Sequence, residues 1–348
     1  QLPGFVAALD WFPEGADQVL TTLKPWDEAG LWAAILPALY FGHTVVLRDT
    51  LPPAHQWPES ITHVVTTSAT MIQALREPSA LSAQGAKPRV IAVLGDQGLL
   101  TPWRERAQAT YGCPVNQATF TSGAGLLLAQ SQHKWPTDDP LNQHLVPGHR
   151  IRLTPDTTDT APEGLTPKQI EVCRTDQANQ TDPALFVQLW PVKDQLDVGA
   201  ELPDWWPSGL YGLAQPDGTL RVLGEPQHWH AAAHGVIDLA LLEQAALLEP
   251  EVCWCQALVQ PERRHSSAET DVWVLVDVDR QVDRQSSHWR ADLKRRLYNR
   301  MLAVLGDGEQ ASVEVRIGLV EQAHIPKDNP RTRHRWQTRA TQALIEFV

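Results

Sequence analysis

The chain reads as an α/β protein in three parts: a parallel α/β subdomain over 1–129, a β-rich subdomain over 130–225, and a small α+β C-terminal domain over 226–348. Three observations predict this order. Through residue 128, β-branched runs alternate with stretches of helical apolar spacing, the pattern of parallel strands covered by helices. From 130 to 224, Pro, Thr, Asp and Gln break the text into short strand-like runs, the pattern of a small antiparallel barrel or sandwich. From 226 onward, helical spacing and longer strands return together.

Each element has its own signal. Asp17 to Leu23 predicts a short buried strand, and Trp32 to Tyr40 a helix that Pro37 kinks or shortens and Gly42 ends. Thr44 to Leu47 is a β-branched strand. Thr62 to Thr67 predicts a strand and Ala69 to Glu77 a helix. Arg89 to Gly95 predicts a strand, followed by a helix from Pro102 to Tyr111 with Thr101 as N-cap and the proline in the first helical position. In the middle part the strand-like runs are Arg150–Leu153, Gln169–Cys173, Leu185–Trp190 and Thr219–Leu223. The last part predicts a helix at 238–249, strands at 252–259 and 271–279, a charged helix at 287–303 and strands near 313–320, with a polar loop at 260–269.

Composition bounds the function. The 348 residues are 43% hydrophobic and 20% charged, ordinary for a soluble globular protein. A net charge of −12 argues against a nucleic-acid binder, whose affinity comes from neutralising phosphates. No apolar run is long enough for a membrane span. The first residues lack the basic stretch and apolar core of a signal peptide, and they lack Met, as in a processed or shortened chain. Four Cys, at 113, 173, 253 and 255, are too few for a disulfide framework, so reduced thiols and a cytoplasmic location are expected. The 14 Trp are expected to be core or groove-lining side chains.

The segment from Trp205 to Glu243 is the most informative. It reads WWPSGLYGLAQPDGTLRVLGE and then PQHWHAAAHGVIDLALLE: two strands, a Gly-Glu break, an irregular stretch, and a helix opening at Ile237-Asp238. This resembles the hinge region of the adenylate-forming superfamily, where W-x-x-T-G-D-x-G and D-G-x-x-x-x-x-G-R precede an Ile-x-x-x-x-Ile-Glu helix. Leu2-Pro-Gly, Trp26, Gly30-Leu31, Pro37 and Gly42-His-Thr-Val-Val are similar to the text that follows the nucleotide loop in acetyl- and medium-chain acyl-CoA synthetases. Pro147-Gly-His-Arg150 is similar to the entry of that family's barrel subdomain. The resemblance implies the adenylate-forming scaffold without its first subdomain, because the family's Pro-Lys-Gly phosphate loop has no counterpart here.

The resemblance also assigns a set of altered site positions. Gly95, Asp96 and Gln97 stand for a Gly-Gly-Glu turn behind the adenine. Thr119, Phe120, Thr121, Ser122 and Gly123 stand for Y-G-x-T-E, so the aromatic and the Mg²⁺-side carboxylate are both missing. Ser208, Gly209 and Leu210 replace Thr-Gly-Asp, and a leucine accepts no hydrogen bond from a ribose. Glu225, beside Pro226 in the hinge, stands where the family has arginine. Thr332 falls at the catalytic lysine, with Arg331 and Arg333 on either side.

Other signals carry two readings each. His228, His230 and His234 would offer imidazoles to a metal, with 230 and 234 on one helix face; a structural role in the hinge is preferred, and no metal is expected. Cys253 and Cys255 flank Trp254 on a strand without the C-x-x-C spacing, and are expected to be buried small hydrophobes. Lys327, Arg331, Arg333, Arg335 and Arg339 read as a solvated helix start or as a phosphate site for CoA or a carrier's phosphopantetheine. Ser122 lacks the G-x-S-x-G context of a nucleophile and reads as a turn.

The expectation is an acyl-CoA-synthetase-like protein with impaired or absent ATP-dependent acid activation. It would take an acyl or aryl ligand or a carrier protein, or a protein partner covering the missing subdomain. One alternative is a working acid–thiol ligase using ATP, Mg and CoA, its phosphate loop supplied upstream or in trans. Another is a non-catalytic assembly subunit.

Overall fold

The computed structural model describes residues 11–12, 17–53, 56–77, 88–95, 97–121, 125–131, 136–137, 139, 141–147, 149–154, 167–174, 205–232, 235–260, 270–279, 288–305, 313–319 and 346–347. The chain divides into two units, the first made of 1–156 with 168–223 and the second of 157–167 with 224–348.

In the first unit five strands are parallel. They are β1 (Gln18–Thr21), β2 (Thr44–Leu47), β3 (Ile61–Thr67), β4 (Val90–Leu94) and β5 (Val115–Thr121), in spatial order β2-β1-β3-β4-β5. Their near-continuous Val, Ile and Ala runs suit a sheet buried on both faces. β6 (Gly125–Gln130) then turns back antiparallel to β5, and β7 (Asn142–Leu145) pairs with β6.

The strands of the middle region join this sheet instead of forming one of their own. β8 (His149–Thr154), β9 (Lys168–Arg174), β10 (Trp206–Ala214) and β11 (Leu220–Gly224) continue it in the order β7-β11-β10-β9-β8, eleven strands in all. Residues 129 and 130, where a subdomain boundary is expected, are neighbours within β6. The run Leu185–Trp190 lies outside the described residues.

Helix α1 spans residues 28–40: Glu28–Gly30, a π turn at Leu31–Ile35, and Leu36–Tyr40. Pro37 does not shorten it. The ring removes one N–H from the helix ladder, and the wider turn just before it absorbs the mismatch. Gly42, at φ +77°, ends the helix. Its N–H reaches Leu39 O (3.0 Å) and the next N–H reaches Ala38 O (2.9 Å), the paired bonds of a left-handed glycine cap. Ala33, Ala34 and Ala38 bury their small side chains against Val19, Val65, Ala92, Leu94 and Ala118, so α1 lies close on the sheet.

α2 (Ser68–Arg76) is capped by Thr67, whose hydroxyl accepts the Thr70 N–H at 3.2 Å. α3 (Thr101–Tyr111) starts one residue earlier than its sequence suggests. Leu100 is the N-cap, Thr101 is already helical, and Pro102 takes the second position, where its missing N–H costs nothing. α2 and α3 pack on each other.

In the second unit, a 3₁₀ turn at Pro226–His228 leads into the hairpin of β12 (Trp229–Ala232) and β13 (Gly235–Asp238). Asp238 caps α4 (Leu239–Ala246) by accepting the Leu241 N–H at 3.0 Å. A four-stranded sheet follows in the order β14 (Val252–Gln260), β15 (Thr270–Val278), β16 (Val313–Leu319) and β17 (Glu346–Phe347). Every residue of β15 is buried. α5 (Trp289–Val304) packs on α4 and β16. Its Arg296 and Arg300 converge on Glu249, a nearly buried carboxylate, and Arg296 also holds Glu251. The segment 261–269, read as a polar loop, lies outside the described residues. Among the described residues, no helix is long and apolar enough to cross a membrane.

Gly30 fixes how α1 leaves the preceding loop. A Cβ there would overlap the carbonyl oxygen of Lys24 and lie 3.3 Å from Leu23 Cβ. A helical Gly→Ala change ordinarily stabilises by up to ~1 kcal/mol. Gly30→Ala is expected to do the opposite, destabilising by about 1–3 kcal/mol through backbone overlap, measured as a lower urea midpoint.

Candidate functional site

Of the positions singled out by resemblance, Gly95, Gln97 and Thr119 to Thr121 lie where β4 and β5 end at their carboxyl side. In open α/β sheets this is the edge where ligands bind. Gly95 follows β4, and its N–H donates to Ala118 O at 3.1 Å. A Cβ on Gly95 would lie 3.0 Å from Ser68 Oγ and 3.2 Å from Gln97 O, so the turn needs a glycine there. Gln97 donates from Nε2 to Leu223 O at 3.1 Å, tying the turn to the end of β11. Leu99 N–H donates to the Gln117 side-chain oxygen on β5, and Gly98 packs on Leu141. The turn is thus held from the strand beneath it and from β11. Asp96 lies outside the described residues.

The β5 positions face into protein. Thr119 is fully buried, and its hydroxyl donates to Gln143 Oε1 on β7 at 3.2 Å. Phe120 is half-buried on the opposite face, packed against the cluster that contains Ala92, Leu94 and Ala118. Thr121 is buried at the strand end, and its hydroxyl has no partner among the described residues. Ser122 and Gly123 lie outside them.

Ser208, Gly209 and Leu210 form an irregularity in β10. The register against β9 shifts between Pro207 and Tyr211, and Gly209 takes φ +78°. The Ser208 hydroxyl donates to Ile170 O at 2.7 Å and accepts the Leu210 N–H at 3.1 Å. Leu210 is 6% exposed, in an apolar cluster with Leu127, Leu128, Ile170, Val172, Leu220 and Val222. Its side chain is therefore core, supplied by β6, β9, β10 and β11 together. In the sheet order, β10 lies four strands from β5, whereas the 95–99 turn touches β5 directly.

Glu225 and Pro226 open the second unit after Gly224, which has φ +82°. Pro226 starts the 3₁₀ turn. The Glu225 carboxylate accepts the His228 N–H, while the Glu225 N–H donates to His228 Nδ1 at 3.3 Å, a reciprocal cap. Glu225, which the resemblance sets at an arginine position, has its side chain engaged in its own backbone turn.

His228 closes the 3₁₀ turn and His230 lies on β12, opposite Ile237 in the β12–β13 hairpin; His234 lies outside the described residues. Burial pushes the His230 imidazole below its ordinary range. No group of three or more His, Cys, Asp or Glu among the described residues is placed to hold a metal. Cys253 is exposed rather than buried, because it is the extra residue of a bulge between Val252 and Trp254; Cys255 is half-buried. Burial raises the Cys113 thiol to about 12, which leaves it unreactive. Trp103 and Trp273 are core, but Trp26 is 72% exposed. Lys327, Arg331, Thr332, Arg333, Arg335 and Arg339 lie outside the described residues.

Sequence reasoning missed one cluster, His43 and His63 with Phe12. The histidines are twenty residues apart in sequence and meet only through the pairing of β1 with β2 and β3. No local motif signals it.

Against protein-family models and against curated proteins the sequence matches nothing. Solved structures do match. The amide bond synthetase McbA from Marinactinospora thermotolerans is 17% identical, with a TM-score of 0.62, over 97% of this chain and 65% of that one. A benzoate CoA ligase from Burkholderia xenovorans LB400 is 14% identical, with a TM-score of 0.65, over 97% and 65%. The anthranilate CoA ligase AuaEII, in complex with anthranoyl-AMP, is 10% identical, with a TM-score of 0.65, over 97% and 63%. The fold is that of the adenylate-forming enzymes. The chain spans just under two thirds of the length of the first solved structures it matches.

Placing the family's carboxylate at 210 tests whether that position is core. Leu210→Asp loses a buried leucine and introduces a charge among six apolar side chains. It is expected to destabilise by about 3 kcal/mol or more, whereas Leu210→Met costs under ~1.5 kcal/mol. Urea denaturation of the two variants separates them; equal midpoints would show that Leu210 faces solvent.

Proposed function

We propose that this chain is a degenerate relative of the acid–thiol ligases, keeping their scaffold and an affinity for an acyl or aryl ligand or a carrier protein while activating acids with ATP poorly or not at all. The observation that carries the reading is Leu210, a core side chain at the position where the resembled family holds the ribose with a carboxylate. Two further features support it. Thr119 and Phe120 spend their side chains on Gln143 and on the apolar core, in place of a cap over an adenine. Glu225 closes a turn with His228 where an arginine would carry positive charge.

The reading keeps ATP, Mg and CoA as ligands of the alternative only. Among the similar structures, O-succinylbenzoate CoA synthetase from Bacillus subtilis is in complex with ATP and magnesium, and AuaEII with anthranoyl-AMP. A chain with Leu210 in its core loses the corresponding ribose bonds, at a cost of ~1–3 kcal/mol for each unmade buried bond.

Calorimetric titration of the folded protein with Mg·ATP decides between the readings without knowledge of the acid. No heat up to millimolar nucleotide is expected. Micromolar binding, about −8 kcal/mol, would overturn the degenerate reading in favour of a working ligase.

A further inference from the structure

The amino ends of β1, β2 and β3 hold a buried pair of imidazoles. His43, just before β2, is 3% exposed, and His63, in β3, is 1% exposed. Their rings lie 5.6 Å apart at 31°, and Phe12 packs on both, at 6.1 and 5.6 Å. The hydrogen bonds fix which nitrogens carry protons. The Asp17 N–H donates to His43 Nδ1 at 3.1 Å, so the His43 proton sits on Nε2. The Thr62 hydroxyl lies 3.3 Å from Gln18 O and 2.8 Å from His63 Nδ1; with its proton on the carbonyl, His63 Nδ1 donates to it and Nε2 is the lone pair. Thr62 is the residue skipped where the register shifts between Gln18 and Val19, so this network seals an irregularity in the β1–β3 pairing.

A metal does not suit this pair. A metal-bound imidazole normally donates from its other nitrogen, whereas His43 accepts there. A proton does. Both Nε2 atoms are buried without a partner among the described residues. Among the described residues a proton added to His63 Nε2 meets no acceptor, and one added to His43 Nδ1 confronts the Asp17 N–H. The charged groups facing the pair are Asp17 and Arg89, which bind each other at 3.1 Å.

We propose that His43 and His63 form an acid-released latch that holds β1, β2 and β3 together at their amino ends while both imidazoles are neutral. This inference is independent of the ligase reading. Burial lowers the His63 pKa from 6.5 to about 4, with His43 and Arg89 lowering it further and Asp17 opposing. The unfolded or opened chain takes up a proton near 6.5 and the closed one only near 4. The latch is therefore complete above about pH 6.5 and weakens as pH falls toward 4.

Amide exchange on the full chain, corrected for intrinsic rates, reads the opening of β1–β3. From pH 6.5 to 4 the opening constant is expected to rise by up to about tenfold per pH unit, with β14–β15 amides as the internal reference. Asn can mimic each Nδ1 role without titrating, as acceptor at 43 and donor at 63. His43→Asn/His63→Asn is therefore expected to open more at neutral pH but with a flat pH profile. Imidazole nitrogen NMR at pH 7 is expected to show opposite neutral tautomers. A parallel pH profile in wild type and variant, or His63 titrating near 6.5 in the folded protein, would overturn the latch.

Discussion

Strand β5 is the element on which the first unit depends, because its buried polar side chains tie neighbouring elements to it. It is the last of the parallel strands and the first to pair antiparallel, so it is covered on both edges. Gln117 and Thr119 are buried on one face, and an unpartnered buried amide or hydroxyl costs several kcal/mol in an apolar setting. Gln117 answers this by accepting the Leu99 N–H, which fixes the loop after β4. Thr119 answers it by bonding Gln143, which fixes β7. On the other face, Ala118 leaves room for α1 while its carbonyl takes the Gly95 N–H. One strand therefore sets the loop, the helix and the antiparallel extension together.

The parts of this arrangement that follow from local chemistry were legible in the sequence. Four of the five parallel strands were read from their apolar and β-branched runs, the α1 terminus from Gly42, and the α4 start from Asp238; β5, with Asn, Gln and Thr along it, was not read as a strand. What failed were inferences that local text cannot carry. Thr101 looked like an N-cap because Pro102 suits the first helical position, but a proline at the second position is equally free of a lost bond. His230 and His234 had helical spacing, and only the hairpin partner Ile237 shows that the segment is extended. Cys253 was expected inside, since strict alternation would pair it with Cys255, and a bulge breaks alternation without any mark in composition. The middle region is β-rich, as its short strand-like runs predict, but its link to the first sheet has no local mark. The pairing of β7 with β11, which joins it to the first sheet, spans more than seventy residues.

The candidate site divides in the same way. Gly95 and Gln97 could be found from the resemblance, and their roles turn out to be backbone roles, a close approach and a carbonyl tie. Such roles survive many changes of side chain. Leu210 could be found too, but only as a missing carboxylate; that the position had become core required the cluster around it. The His43–His63 pair had no signal at all, because its members are related by strand order and not by spacing. It also sits at the amino ends of the strands, opposite the carboxyl-side turn at 95–99, so neither the fold's usual ligand edge nor the resemblance points to it.

The two units spend their buried charge differently, and this bears on what the chain retained. In the second unit the Glu249 carboxyl is 3% exposed, and Arg296 and Arg300 both reach it. In the first unit His63, Thr119 and Leu210 are buried without a paired charge among the described residues. His63 is kept neutral, Thr119 is satisfied by an amide, and Leu210 needs nothing. A site built to hold a nucleotide needs the reverse: unspent polar groups aimed at an absent ligand, which destabilise the empty protein. At positions 119, 120 and 210 each side chain is already satisfied or already apolar. Under the proposed reading, restoring one polar group alone at these positions is expected to unfold the core before it rebuilds a site.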